Sequence, residues 1–479
     1  MGSWRFKGQA TDGRVYDELV YDELAVGIAR LTLDEPAAGV GQQSIESSAC
    51  LVDGIVGGVS RLFQSICHFY ILSIHCIFPP TAKKAMDSRA AHICVAAALV
   101  SAAVGYQLWR LLSRPASSST EEAIADGVTG LIGNTPLLRI RSLSEATGCE
   151  VLAKAEFLNP GGSSKDRIAL YLIERAEARG QLRPHASDCI FEGTSGSTGI
   201  SLAMVARARG YLCHIVMPSD QAIEKSQLLE RHGATVERVA PCSIVDRNNF
   251  VNVARRRARE YCAGGRQGYF VDQFENPLNA EAHYRTTGPE ILRQTHGRVS
   301  AFVHGSGTGG TIAGVTHYLK PRVPNIKCYL ADPQGSGLAN KVNHNVLFAD
   351  AEREGTRRRQ QVDTLVEGVG LNRLTRNFAR LVGPKCILDG AISVSDADAV
   401  AMSRWLMAND GLFVGSSGAI NCVAALNVAR ALGPGHTVVT ILADSGQRHL
   451  TKFWNDDAMA ALGHPVVAPE SLDAFKQVL

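Results

Sequence analysis

Short apolar runs alternate with amphipathic stretches along residues 123–479. The runs are four to six residues long and rich in Val, Ile, Leu, Phe and Ala, which predicts buried strands. The predicted strands are 149–154, 188–192, 212–217, 301–304, 327–331 and 438–442. The predicted helices are 166–179, 200–209 and 221–232. This alternation predicts an α/β fold with mainly parallel sheets, in which ligands bind at the carboxyl ends of strands.

A different pattern fills residues 86–122. The run 90–109 is apolar and contains no Asp, Glu, Lys or Arg, and Arg89 and Arg110 flank it. Because about 20 apolar residues span a bilayer, we predict a membrane anchor, with a transmembrane helix at about 90–112 and then a linker. A cleaved targeting peptide and a buried Ala-rich helix are the alternatives.

Residues 1–85 show no sustained hydrophobic period. We predict a disordered N-terminal extension there. If translation starts at Met86, the predicted anchor lies directly at the N-terminus, and the extension is absent from the mature protein.

Composition narrows the classes of function. The 479 residues include 49 Lys and Arg against 46 Asp and Glu, a net charge of +3, which argues against a nucleic-acid partner. Twelve cysteines are present and none forms a C-x-x-C pair, so no metal site is predicted. The cysteines lie in apolar segments, which predicts reduced, buried thiols in a reducing, cytosol-facing location.

Four loops rich in Gly, Ser and Thr precede predicted helices, and we place each of them at a strand end. The first, 159–167, has Lys165 where its helix begins. A lysine there lies in the positive field of the helix N-terminus, and that field and burial both disfavour the protonated amine. Schiff-base chemistry requires a neutral amine, so Lys165 is the candidate catalytic residue. The alternative is an ordinary solvated lysine.

The other three loops are 192–199, 305–311 and 414–419. The N–H groups and hydroxyls of 192–199 suit a carboxylate, and the glycines of 305–311 suit a phosphate. The latter loop lacks the lysine of a Walker motif and fits the dinucleotide pattern only in part. Turn formation alone explains any one loop, but it explains four such loops in one chain less well.

From about residue 131 to 453 the chain resembles the fold-type II pyridoxal-phosphate enzymes, and within them the cysteine synthase and cystathionine β-synthase family. The matching runs occur in the family's order, and they are 133–137, 161–167, 194–199, 307–311, 367–370 and 416–418. The resemblance implies a tryptophan synthase β-like α/β fold of two subdomains with mainly parallel sheets, preceded here by the predicted transmembrane helix. It implies a catalytic domain at 123–479 that uses pyridoxal 5'-phosphate, with a mobile subdomain at about 200–265.

The resemblance also implies roles for single residues. Lys165 would carry the cofactor as a Schiff base and take the substrate Cα proton. A neutral Ser416 beside the pyridine nitrogen would favour β-elimination over transamination. The residues implied for the cofactor are Lys165, Ser197, Gly307, Thr308, Gly309, Gly310, Thr311 and Ser416. The residues implied for the substrate carboxylate are Thr194, Ser195, Gly196 and Thr198.

One position departs from the family pattern. The substrate loop of the family usually reads T-S-G-N-T-G, and its Asn contacts O3′ of the cofactor. Ser197 stands at that place, with a shorter reach. The tail 444–449 resembles the family's D-x-x-x-R/K-Y ending, and the whole resembles a fungal membrane-anchored or mitochondrial branch.

The implied reaction is β-replacement, which forms L-cysteine from O-acetylserine or serine and sulfide through an aminoacrylate. Cystathionine β-synthase, cysteine desulfhydrase and threonine or serine dehydratase are the enzymatic alternatives. A membrane-tethered pseudoenzyme that acts as a binding protein is the alternative from another class. The expected partners are small amino-acid, sulfide or thiol substrates, a second copy in a homodimer, and the membrane. The predicted location is the mitochondrial outer membrane, facing the cytosol, or the cytoplasm if the N-terminal region is absent.

Overall fold

Two β-sheets carry the fold of the residues that the structure describes, which are 124–349, 364–464 and 466–476. The structure is a computed structural model. All of these residues belong to one unit, Glu122–Leu479. The strands in chain order are β1 Leu137–Arg139, β2 Glu150–Ala155, β3 Cys189–Gly193, β4 Leu212–Pro218, β5 Thr235–Val239, β6 Gly268–Phe270, β7 Ala301–Gly305, β8 Lys327–Pro333, β9 Gly390–Val394 and β10 Thr437–Leu442.

Helices connect most of these strands. In chain order they are α1 Arg141–Thr147, α2 Lys165–Ala178, α3 Ser197–Ala208, α4 Ile223–Arg231, α5 Phe250–Ala263, α6 Leu278–Arg285, α7 Thr287–Gln294, α8 Gly310–Leu319, α9 Leu338–His344, α10 Arg376–Ala379, α11 Asp396–Asp410, α12 Ser416–Leu432 and α13 Asp456–Ala461. A strand followed by a helix and a parallel strand is the repeating unit, as expected for an α/β fold.

The larger sheet has the order β1-β2-β10-β7-β8-β9, and the smaller has the order β5-β4-β3-β6. Only β1 runs antiparallel to its neighbour; the other paired strands in both sheets are parallel. Parallel strands present their carboxyl ends at one edge of a sheet. The loops that leave β2, β7 and β10 are therefore brought to the same edge of the larger sheet.

Small residues allow helix α12 to pack closely on the larger sheet. The helix contacts β10, β7, β8 and β9, and it is buried from Ser416 to Ala429. Its first turns contain Gly418 and Ala419, which leave room for the sheet beneath. The strand β7 below it is fully buried, so this contact forms the centre of the core.

The α/β fold agrees with the sequence prediction. Each of the six predicted strands is present, with ends shifted by at most two residues. The three predicted helices are also present, shifted by at most three residues. Among the eight cysteines that the structure describes, the prediction of burial holds for five, Cys242 is half-buried, and Cys262 and Cys386 are exposed. The five buried cysteines are Cys149, Cys189, Cys213, Cys328 and Cys422.

The predicted fold class needs one correction, which concerns the transmembrane helix. In the part of the chain that the structure describes, no helix is long and apolar enough to cross a membrane. The longest helix there, α12, has 17 residues and a length of about 26 Å, short of a hydrocarbon core of about 30 Å. The predicted span at about 90–112 lies outside the described residues, as do 1–85. Among the described residues the α/β fold therefore stands without the predicted membrane-spanning helix.

Two glycines inside buried helices give a matched test of this packing. A Cβ on Gly314 would lie 2.7 Å from His283 Cβ and closer still to Ala280 O, whereas the nearest atom to a Cβ on Gly418 is Val414 Cβ at 3.4 Å. We expect Gly314→Ala to lower the free energy of unfolding by about 1–3 kcal/mol, because α8 must move away from α6. Gly418→Ala should change it by less than about 1 kcal/mol. Urea unfolding of both variants measures the difference, and equal losses would contradict the packing described here.

Candidate active site

The first loop of the site places Lys165 at the start of a helix. The chain leaves β2 through a short 3₁₀ turn, Glu156–Leu158, and reaches α2 through 159–164. The Asp166 carboxylate accepts a hydrogen bond from the Gly161 N–H at 2.5 Å, and a Cβ at Gly161 would collide with that carboxylate. Glycine is therefore required for this turn, and the turn fixes where Lys165 begins its helix.

The surroundings of Lys165 favour a neutral amine. Its half-buried side chain donates from Nζ to Ser164 Oγ at 3.2 Å. Burial lowers the pKa of Lys165, although the carboxylates of Asp444 and Glu156 oppose the shift. The Ser164 N–H donates to Ala443 O at 2.9 Å, which ties the loop to the end of β10.

Buried ion pairs hold helix α2 in place. The guanidinium of Arg167, two residues after Lys165, binds Glu156 at 2.7 Å and Glu290 at 2.7 Å. Lys154 on β2 binds Glu290 at 2.5 Å. Burial alone would raise the pKa of Glu156 and Glu290, but Arg167 holds both below their usual range. This charged cluster joins β2, α2 and α7 beneath the lysine.

The second loop joins β3 to α3 and contains the predicted carboxylate-binding residues. Gly196 has φ of 145°, and a Cβ there would lie 2.5 Å from Lys225 Cδ. Thr194 Oγ1 accepts from the Gly196 N–H at 3.2 Å, which leaves its hydroxyl hydrogen free for another acceptor. Ser195 and Ser197 are half-buried, and α3 begins at Ser197. The loop therefore presents hydroxyls and a helix N-terminus together.

Thr198 has a partner that the sequence did not reveal. Its hydroxyl donates to Gln273 Oε1 at 2.6 Å. The Gln273 amide in turn donates to Glu192 Oε1 and Gly193 O, both at 3.2 Å. In this arrangement Thr198 can offer its backbone N–H and hydroxyl lone pairs to a ligand, but not its hydroxyl hydrogen.

The third loop turns from β7 into α8 with no room for a side chain at three of its glycines. Gly309 has φ of 83°, in the left-handed region that favours glycine. A Cβ at Gly307 would collide with Gly368 O, and one at Gly310 would collide with the Asn279 amide. The first N–H groups of a helix lack partners within the helix, so this turn offers an anion several donors.

Hydroxyls surround the same turn. Thr308 Oγ1 accepts from Asn279 Nδ2 at 3.0 Å, and Thr311 Oγ1 lies 3.0 Å from Nε2 of His283. The hydroxyl of Ser306 is buried and has no hydrogen-bond partner within 124–349, 364–464 and 466–476. A buried polar atom of this kind is normally satisfied by a ligand or water.

The fourth loop does not follow a strand, which corrects the sequence prediction. It follows helix α11, and Val414 forms only an isolated bridge with Ser445. The fully buried Ser416 accepts a hydrogen bond from the Glu367 N–H at 3.0 Å. Its hydroxyl hydrogen stays available to an acceptor such as a ring nitrogen.

A buried charged cluster lies beside Ser416. Glu367 pairs with Lys225 and lies 3.3 Å from Nδ1 of His449, whose Nε2 is 3.1 Å from Asp444 Oδ2. Burial opposes a charge on His449, but Asp444 and then Glu367 raise its pKa to about 9. His449 is therefore a cation at neutral pH, held between two carboxylates.

The predicted residues of all four loops surround one region. The segment 367–370 and the chain around the tail 444–449 join these loops, which are 159–167, 192–199, 305–311 and 414–419. The contacts are Lys225 with Gly196, Glu367 with Ser416, Gly368 with Gly307, Arg448 with Ser197, and Ser164 with Ala443. The structure therefore brings the four predicted loops together in one region, and the roles of their residues stay predictions.

The arrangement fits pyridoxal phosphate. Lys165 has the lowered pKa that an amine needs to attack an aldehyde. The turn before α8 offers N–H donors and hydroxyls to a phosphate, and Ser416 offers one donor to a ring nitrogen. The buried, unpartnered hydroxyl of Ser306 adjoins that turn.

Several residues of the site were not predicted. Lys225, Glu367, His449 and Asp444 form the charged cluster, and Gln273 binds Thr198. The sequence did contain a signal for part of it, because 367–370 and the 444–449 tail place charged residues beside glycines. The pairing of these charged residues could not be predicted from the sequence, because it joins residues up to 142 positions apart.

Comparison with known proteins agrees with this geometry. Residues 128–444 match the family model described as pyridoxal-phosphate dependent enzyme. Cysteine synthase 2 of Emericella nidulans is 60% identical over 345 residues, which are 69% of this chain and 80% of that protein. A Saccharomyces cerevisiae protein, named provisionally as a mitochondrial cysteine synthase, is 51% identical over 368 residues, 76% of this chain and 92% of that protein. The crystal structure of the O-acetylserine dependent cystathionine β-synthase from Helicobacter pylori superposes with a TM-score of 0.58 and 32% identity, covering 69% of this chain and 98% of that one.

The buried ion pairs under Lys165 predict a large loss of stability in Arg167→Met. That change leaves Glu156 and Glu290 buried without their main cation and should cost about 3–5 kcal/mol. Arg285→Met is the matched control, because Arg285 pairs with Glu281 on an exposed surface and should cost at most about 1 kcal/mol. Urea unfolding compares the two variants. A loss in Arg167→Met no larger than in the control would show that the cluster does not anchor the helix.

The raised pKa of His449 predicts a pH dependence of stability. The folded protein binds this proton more tightly than the unfolded chain, whose pKa is about 6.5, so the stabilisation is complete below pH 6.5 and lost as pH rises through about 9. The loss should be on the order of 3 kcal/mol at most, since a tenfold change in proton affinity corresponds to about 1.4 kcal/mol.

His449→Gln should remove that decline in the free energy of unfolding, measured by urea titration at several pH values. His344→Gln, at an exposed position, is the control and should keep the wild-type profile. A decline that persists unchanged in His449→Gln would assign it to another group.

Proposed function

Because the chain belongs to the pyridoxal-phosphate dependent enzyme family, we propose that it forms L-cysteine by β-replacement from O-acetylserine or serine and sulfide. The observation that carries the proposal is the position of Lys165, whose pKa is lowered and whose loop adjoins a glycine turn suited to a phosphate. The 60% identity to a protein named cysteine synthase 2 supports this reaction over others of the family.

The proposed cofactor residues act as follows. Lys165 binds the cofactor aldehyde through Nζ, and Ser416 donates to the ring nitrogen. Ser416 can donate a hydrogen bond but does not give up its proton, so it leaves that nitrogen neutral. Ser197 is proposed to contact the ring hydroxyl. The residues proposed for the phosphate are Gly307, Thr308, Gly309, Gly310 and Thr311.

The proposed substrate residues lie at the N-terminus of α3. Ser195 and Thr198 offer N–H groups in the positive field of that helix, which favours a carboxylate, and Gly196 gives the loop the backbone conformation that it needs. Thr194 offers a hydroxyl hydrogen, because its oxygen already accepts from the Gly196 N–H. This end of the site is therefore suited to hold the α-carboxylate of an amino acid.

The chemistry divides between the cofactor and the chain. When bound, pyridoxal phosphate supplies an aldehyde for amines and a ring that accepts the charge left at Cα. Lys165 Nζ takes the Cα proton, and burial, which lowers its pKa, favours the neutral amine that this step needs. The burial of the loops around Lys165 limits access of water, which would otherwise compete with sulfide.

A thiol acceptor is the second candidate. The Helicobacter pylori structure is of a protein named as a cystathionine β-synthase that depends on O-acetylserine, so an acetylated donor and a thiol acceptor occur together in a similar fold. Loss of sulfide from cysteine is the reverse of the proposed addition and stays an alternative. Membership of an enzyme family, with Lys165 and the glycine turn in place, argues against the alternative of a pseudoenzyme.

Location and assembly are proposed on narrower grounds. The name of the Saccharomyces cerevisiae relative supports a mitochondrial location. The homodimer and the mobile subdomain at about 200–265 stay predictions. Contacts of Lys225 with Glu367 and of Glu224 with Thr451 at 2.8 Å hold α4 of that subdomain, and motion would have to break them.

The direct test compares Lys165→Ala with wild type. The wild-type holoenzyme should show an absorbance band near the boundary of the visible and ultraviolet, and Lys165→Ala should lose both this band and at least about 1,000-fold in turnover. Lys341→Ala is the control and should keep both, because Lys341 is a half-buried lysine on α9 that binds Asn345. Each protein is then assayed with O-acetylserine, serine and cysteine, each with sulfide or homocysteine, following cysteine, cystathionine, sulfide and pyruvate. Cystathionine as the main product would show that the acceptor is homocysteine and not sulfide. The absence of an absorbance band in the wild type would refute the proposal.

A further inference from the structure

Arg448 is a buried arginine that has no ion-pair partner in the part of the chain that the structure describes. It lies in the 3₁₀ turn Gly446–Arg448 after β10 and is 8% exposed. Its only side-chain hydrogen bond among the described residues is from Nη1 to Ser197 Oγ at 3.5 Å. Because a buried charge is costly without a counterion, an unpaired arginine here indicates a position for a negative group.

The charged groups nearest to Arg448 do not neutralise it. Burial raises the pKa of Asp166 to about 6, and the charge of Arg448 opposes that shift. Burial also opposes the lowered pKa of Asp444, to which His449 and then Arg448 contribute. Burial lowers the pKa of Lys165 and His232, and Arg448 adds to both shifts. The Asp166 carboxylate is already bound by the Gly161 N–H and the Ser201 hydroxyl. The Asp444 carboxylate is paired with His449. Asp444 binds His449 through Oδ2 only, and its Oδ1 is buried without a hydrogen-bond partner in the described ranges. Neither acid forms an ion pair with Arg448 there, so the guanidinium charge remains available to the site.

The long hydrogen bond to Ser197, at 3.5 Å, restricts the direction of a hydroxyl. A guanidinium has donors and no acceptor, so Ser197 Oγ must accept from Arg448. The hydroxyl hydrogen of Ser197 has no acceptor within the described ranges. Ser197 is also the first residue of α3, where the helix N-terminus adds a positive field. Arg448 and the helix together prepare this hydroxyl to donate to an anion.

We propose that Arg448 is a positioning residue for the cofactor: it orients the Ser197 hydroxyl toward the ionised ring oxygen of pyridoxal phosphate, and its charge stabilises that ion. The inference rests on the proposed function, which brings this cofactor to Lys165. An asparagine at position 197, as in the family pattern, could donate through its own amide with a longer reach. The shorter Ser197 gains its direction and strength from Arg448.

The proposal has a measurable consequence for the cofactor itself. A positive charge favours the ionised ring hydroxyl and so lowers its pKa, and a charge within about 4–6 Å lowers such a pKa by about 1–3. Since Arg448 acts partly through Ser197, removing it should raise the pKa of the bound ring hydroxyl by about 1. This titration appears in the absorbance spectrum without turnover.

The experiment titrates the absorbance of the bound cofactor with pH in holoenzyme variants. Arg448→Gln removes the charge and should raise the midpoint by about one pH unit, and Arg448→Lys, which keeps the charge, should raise it less. Ser197→Ala should also raise the midpoint. Replacing Arg448 by Gln in the Ser197→Ala background should raise the midpoint by less than the same replacement does in the wild type. Arg404→Gln is the control, because Arg404 is also buried but pairs with Asp456, and its midpoint should equal that of wild type.

The outcomes separate this inference from the proposed function. A wild-type protein with no cofactor band refutes the proposed function. A band in every variant with the wild-type midpoint in Arg448→Gln refutes the role of Arg448 and leaves the function intact. Additive shifts in the double variant would also contradict action through Ser197. If Arg448→Gln does not fold, as judged by circular dichroism, Arg448→Lys and Ser197→Ala decide by whether either moves the midpoint.

Discussion

The buried ion pairs of Arg167 are the constraint on which the site depends. Arg167 joins Glu156, at the end of β2, to Glu290 on α7, and Lys154 completes the cluster. The helix that carries Arg167 begins at Lys165, so its anchoring fixes the reactive amine at the carboxyl edge of the larger sheet. Burying these charges is costly unless all partners are present, and this makes one arrangement of α2 strongly preferred over others.

The rest of the site is arranged around that fixed amine. Parallel strands deliver the lysine loop and the glycine turn to one edge, and the smaller sheet supplies the loop that begins α3. The second charged cluster, Glu367 with Lys225 and His449, joins the smaller sheet to the segment beside Ser416. Two buried charged clusters therefore position the two sides of the site, one beneath the lysine and one beside the serine. Turns and helix N-termini between them provide neutral donors for anions.

The sequence predicted the parts of this arrangement that depend on local signals. Apolar runs located the strands, and the glycine loops located the lysine, phosphate and carboxylate candidates, because such turns need residues without a Cβ. Pairings over long distances in the chain were not predicted, since Lys225 and Glu367 meet only once the sheets have formed. The prediction of a strand before Ser416 was wrong, because only an isolated bridge at Val414 forms there. Hydrophobicity alone predicted the helix at about 90–112, and the described part of the chain contains no helix that can span a membrane.

The central claim is that Lys165 is the residue that binds the cofactor aldehyde. The most direct measurement is reduction of the holoenzyme with borohydride, which converts a lysine–cofactor linkage into a stable bond, followed by peptide mapping with mass spectrometry. The account predicts the cofactor adduct on the peptide that contains Lys165 and on no other lysine peptide. An adduct on a different lysine, or none in a protein that shows the cofactor band, would contradict it.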